Sequence, residues 1–203
     1  MVILSRFSPS QSSRGFSFVE LLVALAIFTL LSTFFIINFN TVNSRIALDN
    51  EAHEIALWIR EAQAYAMGIK TQGTANVRTY GMYFAQLQPD TFVLYVDRDG
   101  DRRYNSSETA VCGSAAAECI KRVELPARMI LTDLKIGANT GALSTPASGV
   151  LDISFTRPNV DARITDGSPP PTSEYGVGRF TLRSVKGFSR AITVLASGQI
   201  SVQ

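Results

Sequence analysis

The chain has 203 residues, 46% of them hydrophobic, which is enough for one domain of ordinary size with a packed core. It carries 19 Lys and Arg against 17 Asp and Glu. Arg6 and Arg14 account for the whole positive excess, so residues 16–203 are balanced in charge. This balance argues against a strongly basic protein that binds nucleic acid over its whole surface, and it places the positive charge at the N-terminal tip.

A charge-free apolar run follows, from Leu21 to Ile37. As a helix this run would be roughly 26 Å long, close to the hydrocarbon thickness of a bilayer. The run is apolar on every side, whereas a helix buried in a soluble core is usually striped. The sequence therefore predicts a transmembrane helix. The positive residues before it orient the helix with its start in the cytoplasm and the rest of the chain outside.

The order of features around Gly15 differs from that of a secretory signal peptide, whose apolar stretch precedes the cleavage site. Here Gly15 comes first, so cleavage after it would leave the membrane helix on the mature protein. Glu20 lies at the edge of that helix, where a carboxylate is costly unless it reaches the interface or finds a partner. Cleavage after Gly15 would create such a partner, the amine of Phe16, four residues away.

The stretch RGFSFVELLVALAIFTLL resembles the processing signal of type IV prepilins and of the pseudopilins of type II secretion. The resemblance covers residues 14–37. It implies that a prepilin peptidase, also the methyltransferase, cuts between Gly15 and Phe16 and methylates the Phe16 amine. It also implies that Glu20 neutralises the Phe16 amine of a neighbouring pilin or pseudopilin during assembly. The implied location is the bacterial inner membrane, with one span and the head outside the cytoplasm, and then a pilus or pseudopilus.

No Gly or Pro occurs from Phe16 to Met67, which predicts one helix of about 78 Å that ends at Gly68. In its second half six apolar residues fall within an arc of about 80°, which predicts a face packed on a globular head. These six residues are Leu48, Ala52, Ile55, Ile59, Ala62 and Ala66. We expect Trp58 and Tyr65 at the edge of this face, and His53 nearly opposite it.

From residue 78 onward the pattern changes to short alternating segments that predict strands. They are Arg78–Gln86, Thr91–Val96, Ile120–Leu125, Met129–Ile136, Val150–Arg157, Arg179–Val185, Ala191–Ser197 and Ile200–Val202. Gln88, Pro89 and Asp90 predict a hairpin turn, and two long loops follow Ile136 and Arg157.

The predicted fold class is α+β: a long N-terminal α-helix, transmembrane in its first half, packed on an antiparallel β-sheet head. The predicted divisions are a leader (1–15), a transmembrane and filament-core helix (16–38), an amphipathic helix (39–67) and a β-rich head (68–203). This order resembles the GspH/FimT family of minor pseudopilins and minor pilins. The resemblance in the head rests on AHEIALWIREAQAYAM, FVLYVDRDGDRRYNSSETAV and SRAITVLASGQISVQ.

Cys112 and Cys119 are the two cysteines. A location outside the cytoplasm permits a disulfide, which would stabilise the head by about 2.5 kcal/mol in the chain-entropy model. The alternative, a zinc or redox pair, lacks the C-x-x-C spacing, and the one histidine, His53, lies on a distant helix.

The segment after the second strand is acidic and has a spacing similar to that of a calcium loop. Its candidate oxygen ligands are Asp97, Asp99, Asp101, Asn105 and Glu108, with the Arg103 carbonyl at position 7. Against calcium, Arg102 occupies the position where an EF-hand needs Gly, and a strand precedes the loop instead of a helix. A solvated hairpin turn is the simpler interpretation, in which the protein binds no cofactor. Calcium binding at this loop is the alternative.

The last third of the chain has a basic character, because no acid follows Glu174. Its candidate phosphate-contacting residues are Arg179, Arg183, Lys186 and Arg190, with Phe180 and Phe188 among them. DNA binding, which the resemblance to minor pilins of competence systems implies, is therefore one alternative function. A membrane-anchored enzyme is another, but no phosphate loop, G-x-S-x-G motif or His cluster supports catalysis. We expect a non-enzymatic filament subunit.

Overall fold

A computed structural model of the chain describes residues 15–68, 79–105, 111–114, 116–159, 161–168 and 173–203, with only the helical backbone given for residues 37–40. The predicted leader, except for Gly15, and the candidate ligand Glu108 lie outside the described residues. The chain divides into two compact units, one ending at Asn43 and the other beginning at Ser44.

One helix, α1, runs through both units from Phe18 to Met67. The prediction of a single unbroken helix is confirmed, although the helix begins two residues later than Phe16. The N–H of Gly68 donates to the Ala64 carbonyl at 2.8 Å, which closes the last turn where the sequence predicted the end.

In the first unit, α1 exposes large apolar side chains on all sides, among them Phe18, Leu22, Phe28 and Phe35. Within the part of the chain that the structure describes, α1 is the one helix long and apolar enough to cross a membrane. None of its most apolar window is buried against the chain's own residues. This surface therefore needs a cover that the described residues do not supply.

In the second unit, the predicted apolar face of α1 is confirmed. Leu48, Ala52, Ile55, Ile59, Ala62 and Ala66 are each at most 1% exposed. Trp58 and Tyr65 pack against the edge of the same core, and His53 is exposed on the other side, as predicted. Its Nδ1 lies 2.7 Å from the Asp49 carbonyl of the same helix, which is a local contact.

The described residues of the head contain ten strands. They are β1 (Thr79–Ala85), β2 (Thr91–Val96), β3 (Cys119–Glu124), β4 (Met129–Gly137), β5 (Leu143–Ser144), β6 (Val150–Thr156), β7 (Ala162–Thr165), β8 (Val177–Ser184), β9 (Ser189–Leu195) and β10 (Ile200–Val202). All eight predicted strands are present within two residues of their predicted ends, except that Arg78 is not among the described residues. The short strands β5 and β7 lie in segments that the sequence predicted as loops.

The strands form two antiparallel sheets of five, a division that the sequence did not indicate. Sheet A has the order β3-β2-β1-β6-β7, and sheet B has the order β10-β9-β8-β4-β5. Their inner faces share one core with the buried face of α1. Phe84 of β1 stacks on Phe180 of β8 with ring centroids 4.4 Å apart, so the two sheets meet through aromatic side chains.

A second, smaller cluster lies on the outer face of sheet A. Val93 and Tyr95 of β2 and Cys119 of β3 are buried there, beneath Tyr104 and Cys112. The loop after β2 and the disulfide loop before β3 thus fold back over the sheet and cover it. The sequence placed both loops but did not indicate that they pack on the sheet.

Candidate functional site

The N-terminal candidate site consists of Gly15, Phe16 and Glu20. Gly15 and Phe16 precede α1 and are exposed, and Glu20 lies in the first turn of the helix. The unpaired N–H groups of a helix start favour a negative charge at this position. No ion pair is found for Glu20 within the described residues. A positively charged partner for Glu20 would therefore have to come from outside the described residues, from the processed N-terminus or from another chain.

The disulfide between Cys112 and Cys119 is present, as the sequence predicted. It closes the loop before β3, and the Gly113 N–H donates to the Cys119 carbonyl at 2.7 Å across the same loop. Gly113 has a φ of 86°, a conformation that a side chain would strain, which explains the Gly after Cys112. No free cysteine is found in the described part of the chain.

The acidic segment after β2 forms a tight loop held by its own main chain. Asp97 accepts from the N–H of Gly100 at 2.8 Å and from that of Arg102 at 3.1 Å. Asp99 accepts from the N–H of Asp101 at 3.1 Å. Asp side chains that form turns typically accept hydrogen bonds from main-chain N–H groups a few residues further along the chain, as these do. A role in forming the turn is therefore sufficient to explain why acidic residues occur at these positions.

The predicted ligand set is only partly brought together. The carboxylate oxygens of Asp97, Asp99 and Glu118 lie within 4.8 Å of one another. Asp101 instead forms an ion pair with Arg103, with Nε and Oδ2 2.5 Å apart. Asn105 donates from its side chain to Asp99 at 2.7 Å. Glu108 lies outside the described residues.

Glu118 is the residue that the sequence reasoning missed. It is 1% exposed, and its two carboxylate oxygens accept from the N–H groups of Arg98 at 3.3 Å and Asn105 at 2.9 Å. Glu118 precedes Cys119, so the disulfide loop carries it to the acidic loop from 13 residues beyond Asn105. The spacing of a calcium loop considers only residues within one loop, so it cannot identify a candidate ligand that lies on another loop.

Asp152 on β6 anchors the same loop from below. It is fully buried and accepts from the Tyr95 hydroxyl at 2.6 Å and from the Tyr104 N–H at 3.2 Å. Burial raises the pKa of Asp152 to about 7, while the bonds from Tyr95 and Tyr104 and the charge of Arg163 act in the opposite direction. Burial and the neighbouring Asp152 carboxylate raise the pKa of Tyr95 well above its ordinary value. Burial also raises the pKa of Asp97, against the two amides that bind it.

The basic residues of the last third do not form one patch. Arg179 and Arg183 lie four residues apart on β8 and share the outer face of sheet B, where Lys135 pairs directly with Arg179 across the ladder. Arg190 pairs with the buried Leu182, so it faces inward, and it forms an ion pair with Asp49 of α1. Lys186 is exposed in the β8–β9 turn.

The aromatic residues among these cations are not available for base stacking. Phe180 is fully buried in the core. Phe188 is partly buried, and the guanidinium of Arg45 lies 4.5 Å from its ring centroid. Stacking on exposed aromatic rings supplies much of the affinity of proteins that bind single strands. The described surface of sheet B offers cations and hydroxyl groups instead.

Comparison with protein families found a match at the N-terminus. A model described as the prokaryotic N-terminal methylation motif matches residues 10–36. This match supports a type IV pilin-like protein. It includes Gly15, Phe16, Glu20 and most of the apolar run, and such a motif implies processing by a prepilin peptidase and assembly with other pilins. No curated protein and no solved structure matches the chain.

A calcium site at the acidic loop predicts that millimolar calcium raises the melting temperature of the full chain in detergent, because binding only to the folded state stabilises it by mass action. Glu118→Gln should abolish the rise, since it removes one charge from the three clustered carboxylates. Asp161→Asn, an exposed acid in the β6–β7 turn, is the matched control and should keep it. A melting temperature that does not respond to calcium would leave the loop as a turn held by its own amides.

The buried Asp152 carboxyl predicts a pH-dependent stability. Between about pH 4 and 7 the folded chain holds a proton that the unfolded chain has released, so the free energy of unfolding falls as pH rises through this window. Above pH 7 this contribution is constant. In Asp152→Asn the contribution should be absent, and about 4 kcal/mol is its upper bound, from roughly three pKa units.

The measurement is the difference in unfolding free energy between the original chain and Asp152→Asn, followed by denaturant titration from pH 4 to pH 8. Asp161→Asn controls for the loss of an acid at the surface, and its difference from the original chain should not show this fall. A difference for Asp152→Asn that stays constant across the window would show that Asp152 does not hold the extra proton.

Proposed function

We propose that the chain is a minor pilin or pseudopilin of the GspH/FimT kind, a structural subunit of a type IV pilus or a type II secretion pseudopilus. The observation that carries the proposal is Glu20. It lies inside the matched methylation motif, in the first turn of a helix whose apolar surface is not covered by any described residue of the chain. Its nearest implied partner is the amine of Phe16 in a neighbouring subunit.

The head supports the minor-subunit part of this proposal. After α1 the head is entirely β in its described residues, and an all-β head is what the resemblance to GspH/FimT implies. The stretches that carry the resemblance occupy α1, the β2 strand with its acidic loop, and the β9–β10 hairpin. The function is then binding to other pilins, with no reaction catalysed by this chain.

Assembly follows from the energetics of the helix. In lipid the apolar side chains of α1 are satisfied, but Glu20 is not, because charges within a bilayer are costly. When helices pack side by side, helix contacts replace lipid contacts, and a neighbour's Phe16 amine can pair with Glu20. The carboxylate therefore favours the bundle over the isolated helix and sets the axial offset between neighbours.

DNA binding by a minor pilin of a competence system is the second candidate. The observation that favours it is the pairing of Lys135 with Arg179 on the outer face of sheet B, because like charges directly opposite each other are unfavourable without an anion nearby. Arg183 extends the same face. The inward position of Arg190 and the balanced charge of residues 16–203 weigh against it.

The first prediction of this proposal concerns processing. Mass spectrometry of the protein in assembled filaments should find an N-terminal methylated Phe16 and no residue before it. Gly15→Val should leave the leader in place, because the resemblance implies a Gly at the cleaved bond. A mature protein that still begins at Met1 within filaments would contradict the proposal.

The second prediction concerns Glu20. Glu20→Gln and Glu20→Ala should both still insert in the membrane, since the apolar run is unchanged. Each should reduce recovery in sheared filaments, and co-purification with partner pilins, by at least about tenfold, because the charge pair is lost. Glu54→Gln is the matched control: it removes an exposed acid of the same helix and should assemble normally.

The Glu20 experiment also separates the proposed function from the alternative of a membrane-anchored enzyme. An enzyme that uses α1 only as an anchor would keep its activity in both Glu20 variants. Normal incorporation of both variants into filaments would refute the assembly mechanism.

A further inference from the structure

A hollow beside sheet A is lined by three arginines. It lies between the acidic loop after β2, the end of β6 and the strand β7, and its volume is about 280 Å³. Arg102 belongs to the acidic loop, Arg157 follows β6, and Arg163 lies on β7. Arg163 faces outward, because its neighbours Ala162 and Ile164 are buried in the core. Three separate segments of the head therefore bring arginines to one hollow.

Arg102 has a backbone conformation that its side chain does not favour. Its φ is 62°, in the left-handed region that Gly adopts freely and that strains other residues. The loop uses only main-chain groups of Arg102, because its N–H donates to Asp97 at 3.1 Å and its carbonyl accepts from Arg163 at 3.3 Å. A Gly would supply both contacts with less strain. The fold of the loop therefore does not explain the Arg side chain, and such strain is common where a residue has a function.

The side chain of Arg102 pairs with none of the acids near it in the sequence. Among the described residues, the hydrogen bonds of Arg102 are the two main-chain contacts, and it forms no ion pair. The acids of the loop are engaged elsewhere, since Asp97 accepts from the N–H of Gly100 and Asp101 pairs with Arg103. The Arg102 guanidinium therefore remains available to a ligand in the hollow.

The hollow keeps a positive excess after its own acids are counted. Asp161 and Glu174 also line it, against the three arginines. Both acids are exposed, and Glu174 binds Arg163, with its Oε1 2.6 Å from Nε. The Arg163 side chain is only 14% exposed, so solvent and salt screen this cation less than they screen the acids. An anion in the hollow would therefore meet more positive than negative charge.

We propose that this hollow binds a phosphate group. Guanidinium groups recognise phosphate and carboxylate through paired N–H donors. A carboxylate offers two oxygens in one plane, whereas a phosphate monoester offers three, which matches cations carried by three segments. Asn159 in the same hollow adds a side-chain amide donor. The volume lies near the lower end of the range for ligand pockets, about 300 Å³ upward, and suits a small group.

The experiment measures phosphate binding to the full chain in detergent by isothermal titration calorimetry. The probes are inorganic phosphate and glucose 1-phosphate, a phosphate monoester, at an ionic strength held constant with chloride because salt screens exposed charges. We expect one site per chain, with acetate bound more weakly than either probe. Tighter binding of glucose 1-phosphate would indicate a phosphate group carried on a larger molecule, and equal or weaker binding would indicate free phosphate.

Arg102→Gly is the first test variant. It should weaken the phosphate affinity at least about tenfold, because charge-assisted hydrogen bonds are lost. Its melting temperature without phosphate should stay the same or rise, since Gly adopts a φ of 62° without strain. A side chain that only kept the loop in shape would give the opposite result, a lower melting temperature with unchanged affinity. Arg102→Asn, which tolerates the same conformation, should behave as Arg102→Gly does.

Glu174→Gln should act in the other direction. It should bind phosphate more tightly, because it releases Arg163 and removes a negative charge from the hollow. Arg128→Ala, which removes an exposed cation from the β3–β4 turn, is the matched control and should keep the original affinity. Glu20→Gln should also bind phosphate normally, so this proposal and the assembly mechanism can fail separately.

Three results would each overturn the inference: no heat of phosphate binding above the chloride background, equal affinity for acetate and phosphate, or the original affinity in Arg102→Gly. An equal loss of affinity in Arg128→Ala would overturn it as well, because it would show attraction of phosphate to cations anywhere on the surface.

Discussion

One continuous helix has to satisfy two different environments, and the rest of the molecule depends on how it does so. In the first unit, α1 carries apolar side chains around its whole circumference, from Phe18 to Ile36 in the described residues. In the second unit it carries them on one face only, and both sheets cover that face. The hydrophobic effect therefore stabilises the head within the chain, whereas the first half of α1 is stable only against lipid or against other helices. A single copy of this protein in water would therefore leave the apolar surface of the first half of α1 exposed to solvent.

The buried face of α1 is narrow and made largely of small residues, which determines what the sheets must supply. Ala52, Ala62 and Ala66 add little volume to the core. The volume comes from the strands, whose largest buried side chains are aromatic and include Phe84, Phe92, Phe155 and Phe180. Small side chains on a helix allow its backbone to approach a sheet closely, and rings on the sheet then fill the space between the layers.

Much of this fold follows from local patterns in the sequence. The spacing of Leu48, Ile55 and Ile59 has the period of a helix, and the alternation in β2 has the period of a strand, so both elements are predicted at nearly their observed ends. The long apolar run and the order of Gly15, Phe16 and Glu20 are also local features, so the sequence alone is enough to predict the membrane anchor and its processing.

What the sequence does not predict depends on contacts between distant residues. The pairing order that divides the strands into two sheets joins β1 to β6 and β4 to β8, and no local pattern encodes it. The short strands β5 and β7 exist because longer strands offer them an edge. The ion pair of Arg190 with Asp49 joins residues 141 positions apart. Basic residues that are close together in the sequence therefore do not form one patch in the folded head.

The irregular loops on the outer face of sheet A are held by buried carboxylates and by the disulfide. The carboxylates of Asp97, Glu118 and Asp152 are buried, yet each accepts hydrogen bonds from main-chain N–H groups. A buried carboxylate is tolerated when such donors replace water, and it then fixes the irregular loop that supplies them. The disulfide adds a covalent tie to the same loops. These loops therefore keep their shape through hydrogen bonds and packing within the head itself.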